Sequence, residues 1–184
     1  MGRRPTDAAA RLRASAIDLY TRDGFGATTV EAIAADAGLT ERTFFRYYAD
    51  KREVLFGGAD ELAILLAERV TASGASTVRE AVVEGLLAVC ADLEPRRPEL
   101  VTREAIVSTT LELRERELAK LAAWSSALEA ALIGRGADAP SAAVVASASV
   151  AALNVAATRW LAGPGRPGLR AELGAALQAL TLLA

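Results

Sequence analysis

An all-α fold is predicted by three observations. Alanine, leucine, glutamate and arginine, all strong helix formers, dominate the chain. No segment alternates apolar and polar residues at strand-like spacing. Helix-breaking residues then cut the chain at Asp23-Gly24, Gly38, Ala49-Asp50, Ser73-Gly74, Glu94 to Pro98, Gly134 to Pro140 and Gly163 to Gly168. These breaks delimit about nine helices: an N-terminal three-helix, helix-turn-helix domain over residues 1–56 and a larger helical domain over 57–184.

The first helix is expected over residues 8–22, where Leu12, Ala16, Leu19 and Tyr20 recur on one face and arginines occupy the other. A short second helix begins near Thr28, whose spacing to Glu31 fits a capping box, and its buried stripe is Val30, Ile33, Ala34 and Ala37. Gly38-Leu39 turns the chain, Thr40 caps a third helix running to about Tyr48, and Ala49-Asp50 opens a longer fourth helix headed by Lys51. A short helix, a glycine turn and a second short helix make a helix-turn-helix.

From Glu61 onward the helices are apolar. Leu62, Leu65 and Leu66 continue the fourth, and Val82, Val83, Leu86, Leu87, Val89 and Cys90 form the next. Ile106, Leu111, Leu118, Leu121, Trp124 and Leu128 follow. The uncharged run from Ala139 to Thr158 has the length of a membrane span, but it is rich in alanine and serine and carries Asn154, so it is expected to pack inside a globular fold. No membrane partner is expected. The final helix carries a stripe of Leu173, Leu177 and Leu180.

Composition narrows the function. The chain of 184 residues has no histidine, which removes the commonest general base and the usual imidazole metal ligand. Its single cysteine, Cys90, permits no internal disulfide and cannot supply an ordinary zinc site. No catalytic residue, metal or cofactor is expected, and with no secretory signal the chain is expected to be cytoplasmic. Gly163 to Gly168 has the spacing of a dinucleotide-binding glycine motif, yet it follows a helix and contains prolines, which donate no amide to a pyrophosphate.

Chemistry concentrates in GLTERTFFRYYADKREVLF, residues 38–56. Periodicity divides its helix into a packing side, Phe44 and Tyr48 with Leu39, and a polar cationic side, Arg42, Thr43, Arg46 and Tyr47. The second inventory suits base edges and phosphates in a major groove. Arg3 and Arg4, in a basic N-terminal arm, are further candidates for phosphate contact.

The segment LRASAIDLYTRDGFGATTVEAIAADAGLTERTFFRYYADKREVLF, residues 12–56, resembles the DNA-binding domain of the TetR family of bacterial repressors. Matching positions are Gly24-Phe25, Thr28-Thr29-Val30, Ile33-Ala34, Ala37-Gly38, Thr43, Tyr47-Tyr48, Lys51 and Leu55-Phe56. The resemblance implies that Thr28 or Thr29 anchors a phosphate, that Thr43, Phe45 and Tyr47 meet the duplex, and that Lys51 binds phosphate. Phe45 stands where that family usually has tyrosine, and Arg42 where glycine is common, making Arg42 the distinctive candidate base reader.

For the larger domain the resemblance implies an effector pocket, with Leu62, Leu66, Glu84, Leu86, Leu87, Cys90, Arg103, Ile106, Leu111, Leu121, Trp124 and Leu128 as candidate lining. It also implies a homodimer through the last two helices. Ala146, Ser149, Ala152, Leu153, Ala156, Trp160, Leu173, Leu177 and Leu180 are the candidate interface. REAIVSTTLELRERELAKLAAW, with ALIGRG and ATRWLAG after it, is similar to the C-terminal domain of actinobacterial regulators of the mycofactocin-regulator type, which implies a small apolar or acyl-CoA-like effector.

The expected function is therefore a ligand-responsive repressor on a near-palindromic double-stranded DNA operator. Two alternatives stand beside it: a helical small-molecule or acyl-CoA carrier without DNA binding, and a thiol-based sensor acting through Cys90.

Overall fold

A computed structural model describes residues 5–163, 165 and 167–181, with side chains from residue 8 onward. Arg3, Arg4 and part of the Gly163 to Gly168 motif lie outside the described residues. Among those described there is no strand, and nine α-helices follow one another: α1 Pro5–Asp23, α2 Val30–Asp36, α3 Glu41–Tyr47, α4 Ala59–Ala72, α5 Val78–Leu93, α6 Arg97–Thr109, α7 Leu111–Gly134, α8 Ala139–Leu161 and α9 Leu169–Leu180. Short 3-10 turns occupy Glu53–Leu55 and Glu94–Arg96.

The chain divides into two compact units. One holds the residues through Gly57 together with Thr102–Arg116; the other holds Gly58–Val101 and the chain from Glu117 onward. In the first, α1 buries Leu12, Ala16, Leu19 and Tyr20 against Ile33, Ala34 and Ala37 of α2 and Phe44 of α3. Ile106, Val107 and Leu113 join the same apolar cluster. The four-residue spacing on α1 thus becomes one wall of a three-helix core.

α2 ends in a Schellman motif. The Gly38 amide bonds to Ala35 O (2.9 Å) and the Leu39 amide to Ala34 O (2.8 Å). This closure requires a left-handed residue, and Gly38 has φ 62. Leu39 then packs against the cluster and sets where α3 starts.

Two sequence expectations are corrected here. The cap of α2 is Thr29, whose hydroxyl accepts from the Ala32 amide (3.1 Å). Thr28 lies buried and donates instead to Gly24 O (2.9 Å), which takes its hydroxyl out of the capping position. The fourth helix does not begin at Lys51 either. Asp50 organises only a 3-10 turn, its carboxylate accepting from the Arg52 and Glu53 amides (2.8 and 3.0 Å). Gly58, at φ 87, then resets the chain direction before α4 begins at Ala59.

In the second unit α4 packs along α5 and α8 along α9. The first pair meets at Gly85, where an added Cβ would lie 2.8 Å from Val70 Cγ2 and 3.2 Å from the Leu66 carbonyl oxygen. Gly85→Ala is therefore expected to lower stability by about 1–3 kcal/mol through overpacking, measured by urea denaturation. An unchanged midpoint would show that the helix pair yields freely. Arg135 ties this unit together by donating to the carbonyls of Val70 (3.2 Å), Ser73 (2.7 Å) and Ala75 (3.0 Å), satisfying acceptors left open at the end of α4.

α8 is long and apolar enough to cross a bilayer, with a mean hydropathy of 1.6. In the fold its Ala142, Ala146, Val150, Leu153 and Ala156 belong to the apolar cluster of this unit, packed with Leu169 and Leu173 of α9. Its small side chains allow the two helices to approach closely.

Candidate nucleic-acid interface

α3 is presented outward by its own buried residue. Phe44 has no exposed surface, and its ring lies 5.6 Å from that of Tyr48. Thr40 caps the helix, accepting from the Thr43 amide (3.3 Å) as its spacing predicts. At about 100° per residue, anchoring Phe44 inward turns Arg42 and Arg46 directly outward, with Phe45 on one flank and Thr43 and Tyr47 on the other. Burial agrees: Arg42, Phe45 and Arg46 are exposed, while Thr43 and Tyr47 are half-buried.

The two arginines differ. The Arg46 guanidinium lies over the Tyr47 ring, 4.8 Å from its centroid, and donates to Tyr47 Oη (3.1 Å). Arg42 is exposed, and among the described residues none holds its guanidinium. Its planar fork of donors remains open for a bidentate acceptor. Thr29, exposed at the start of α2, is available beside the first α2 amides, whereas Thr28 is not.

Lys51 is held by backbone carbonyls. Its ammonium donates to Phe25 O (2.8 Å) and Thr28 O (2.9 Å) and lies 4.4 Å from the centroid of the Phe25 ring. The Tyr20 hydroxyl donates to Lys51 O (2.6 Å). The lysine thereby locks the loop between α1 and α2 and leaves one of its three donors uncommitted. Nearby, burial raises the Asp50 pKa, but the Arg52 side chain and the Glu53 and Arg52 amides outweigh it and hold the carboxyl below its ordinary value.

The residues expected around an effector separate into two groups. Leu62, Leu66, Leu86, Cys90, Trp124 and Leu128 share one apolar cluster, with Leu87 and Leu121 packed against it. Trp124 Nε1 donates to Ala59 O (3.0 Å), which leaves no buried donor open on that ring. The remaining four lie outside that cluster. Glu84 is exposed, opposite the buried face of α5, and accepts from Ser73 Oγ (2.5 Å). Leu111 is 65% exposed at the start of α7. Arg103 and Ile106 belong to the other unit: the Arg103 guanidinium donates to Leu55 O (2.7 Å) and stacks 4.7 Å from the Phe56 centroid.

Burial pushes the Cys90 thiol up to about 11 from 9.0, with the Glu94 carboxylate adding to the rise. A buried thiol of this kind is a poor nucleophile, which disfavours the thiol-sensor alternative. A raised pKa in the fold means that its stabilisation is complete below pH 9 and is lost as pH rises towards 11. We expect wild-type stability to decline across that window more steeply than that of Cys90→Ala, by on the order of 2 kcal/mol. Tyr20 and Tyr48, also raised chiefly by burial, act in the same direction in both proteins, so the difference between the two slopes isolates the thiol.

In the last two helices most of the expected interface residues face inward. Ala146, Ser149, Ala152, Leu153, Ala156, Trp160 and Leu173 are buried within the chain itself, and Leu177 and Leu180 are half-buried. Trp160 packs beneath the Arg97 guanidinium, which donates to Trp160 O (3.0 Å) and Gly163 O (2.7 Å). The exposed stripe of α8 is Val144, Ser147, Ala151 and Val155, and that of α9 is Gly174, Ala175 and Gln178.

Comparison with known proteins agrees with this architecture. Residues 7–56 match the family described as bacterial regulatory proteins, tetR family. The chain is 30% identical over 125 residues to MftR of Mycobacterium tuberculosis, named for transcriptional regulation of mycofactocin biosynthesis; the match covers 67% of this chain and 63% of the relative. Among solved structures it is similar to the TetR-family repressor FadR of Thermus thermophilus in complex with lauroyl-CoA, at 25% identity and a TM-score of 0.61 over 94% of this chain and 93% of the other. It is also similar to a TetR-family regulator of Streptomyces coelicolor, at 25% identity and a TM-score of 0.57 over 99% of both chains. Residues 7–56 therefore match the tetR family of bacterial regulatory proteins, and the chain as a whole is similar in fold to solved TetR-family regulators.

Proposed function

We propose that the chain is a ligand-responsive transcriptional regulator, a repressor that two copies seat on a near-palindromic DNA operator. The observation that carries this reading is α3, a capped helix anchored by fully buried Phe44 and turning Arg42 and Arg46 outward. Two such helices related by a two-fold axis would enter successive major grooves about 34–36 Å apart. The exposed stripes of α8 and α9, with Val144 70% and Val155 47% exposed, are the apolar surface that a second copy would cover.

The effector reading rests on the apolar cluster around Leu66, Leu86, Cys90 and Leu128 and on the likeness to a repressor that holds lauroyl-CoA. A long acyl thioester is the proposed effector class. Such a ligand releases DNA only by binding the non-DNA-bound conformation more tightly; affinity for both states alike shifts nothing.

The test is footprinting on the DNA upstream of the chain's own gene, with and without lauroyl-CoA. We expect a symmetric protected site that weakens with salt and is lost at saturating acyl-CoA. Protection that persists at every acyl-CoA concentration would overturn the effector assignment. Acyl-CoA binding with no DNA protection at low ionic strength would favour the carrier instead.

A further inference from the structure

Phe45 is 55% exposed on the flank of α3 next to Arg42, an unusual place for a phenyl ring. Its ring is not loose. It meets the buried Phe44 ring edge to face, with centroids 5.5 Å apart and planes at 82°. More than half of the residue's surface nevertheless remains open to solvent. Nothing in the isolated chain is gained by this exposure, since burying the ring would stabilise the fold.

We propose that Phe45 reads a thymine methyl group in the major groove and so sets one base of the operator half-site. This inference rests on the DNA-binding reading of α3 and deepens it. A phenyl ring has no donor or acceptor, so it can bond neither to phosphate nor to the N7, O6, O4 or amino groups of base edges. Thymine alone among the four bases offers an apolar group there. Placed against guanine, adenine or cytosine, the ring strips water from polar edges and returns no hydrogen bond, which penalises those bases. Specificity at this position therefore comes from one favourable contact and three unfavourable ones. Arg42, three residues earlier on the adjoining part of the face, is placed to read a neighbouring base pair.

Replacing thymine by deoxyuridine removes the methyl and keeps every groove hydrogen-bonding group. The experiment measures binding of the full-length protein to its footprinted operator made with thymine or with deoxyuridine. Wild type is expected to lose about fourfold in affinity per contacted methyl, and roughly fifteenfold for two symmetric half-sites. Phe45→Ser is expected to bind both duplexes equally, while Phe45→Leu, which keeps an apolar group, retains the preference for thymine. Circular dichroism melting checks that both variants fold. Equal binding of the two duplexes by wild type, or an undiminished preference in Phe45→Ser, would overturn the proposal. Failure of wild type to bind the unmodified duplex would overturn the DNA-binding reading itself and this inference with it.

Discussion

Arg42→Ala is expected to abolish selective operator protection while leaving the fold and the melting temperature unchanged. The guanidinium is exposed and held by no described residue, so its removal breaks no bond within the protein. A bidentate arginine contact to guanine contributes roughly 1–3 kcal/mol of discrimination. In a two-fold complex the loss is counted twice, giving roughly 2–6 kcal/mol per operator. Arg42→Lys restores charge but not the planar fork, so it should not recover selectivity. Titrations against operator and scrambled duplexes at the same salt separate these effects. If Arg42→Ala lowered affinity for both duplexes equally, the residue would be a phosphate contact and not a base reader.

Phe44→Ala is expected to lower stability by about 3–5 kcal/mol, the range for truncating a fully buried phenylalanine. Phe44 has no exposed surface and sits in one cluster with Leu12, Ala16, Ile33 and Leu55. A deficit of this size is comparable with the whole margin of a small fold, about 5–15 kcal/mol. Unlike Arg42→Ala, this variant should lose operator and scrambled DNA together, because it removes the anchor that points the arginines outward. Urea denaturation gives the magnitude, and a change under 1 kcal/mol would show that another residue fixes the rotation of α3.

Much of α3 was legible from local signals. The Thr40 cap, the Gly38 turn, the inward Phe44 and the outward Arg42 and Arg46 depend on neighbours within a few residues and stand where the spacing places them, whereas Tyr47, expected on the outward face, is half-buried and packs against the core. Thr28 and Thr29 show the limit. Two adjacent hydroxyls both fit a cap, and the choice fell to a bond from Thr28 back to Gly24 O. Lys51 was legible as a cation, but its use is set by Phe25 O and Thr28 O, far back in the chain. Residues 102–116 carry no mark of packing with the N-terminal helices, since their apolar spacing is that of any core helix.

By itself, then, the sequence determined the helical class, the helix-turn-helix and the side of α3 that carries cations, because propensity, caps and periodicity act over one or two turns. Tertiary structure alone decided which apolar stripe of α8 faces the chain's own core, that Arg103 stacks on Phe56, and that the residue before α4 is a left-handed Gly58. Helices with apolar residues on several sides can bury any of them, and only the packed partners choose.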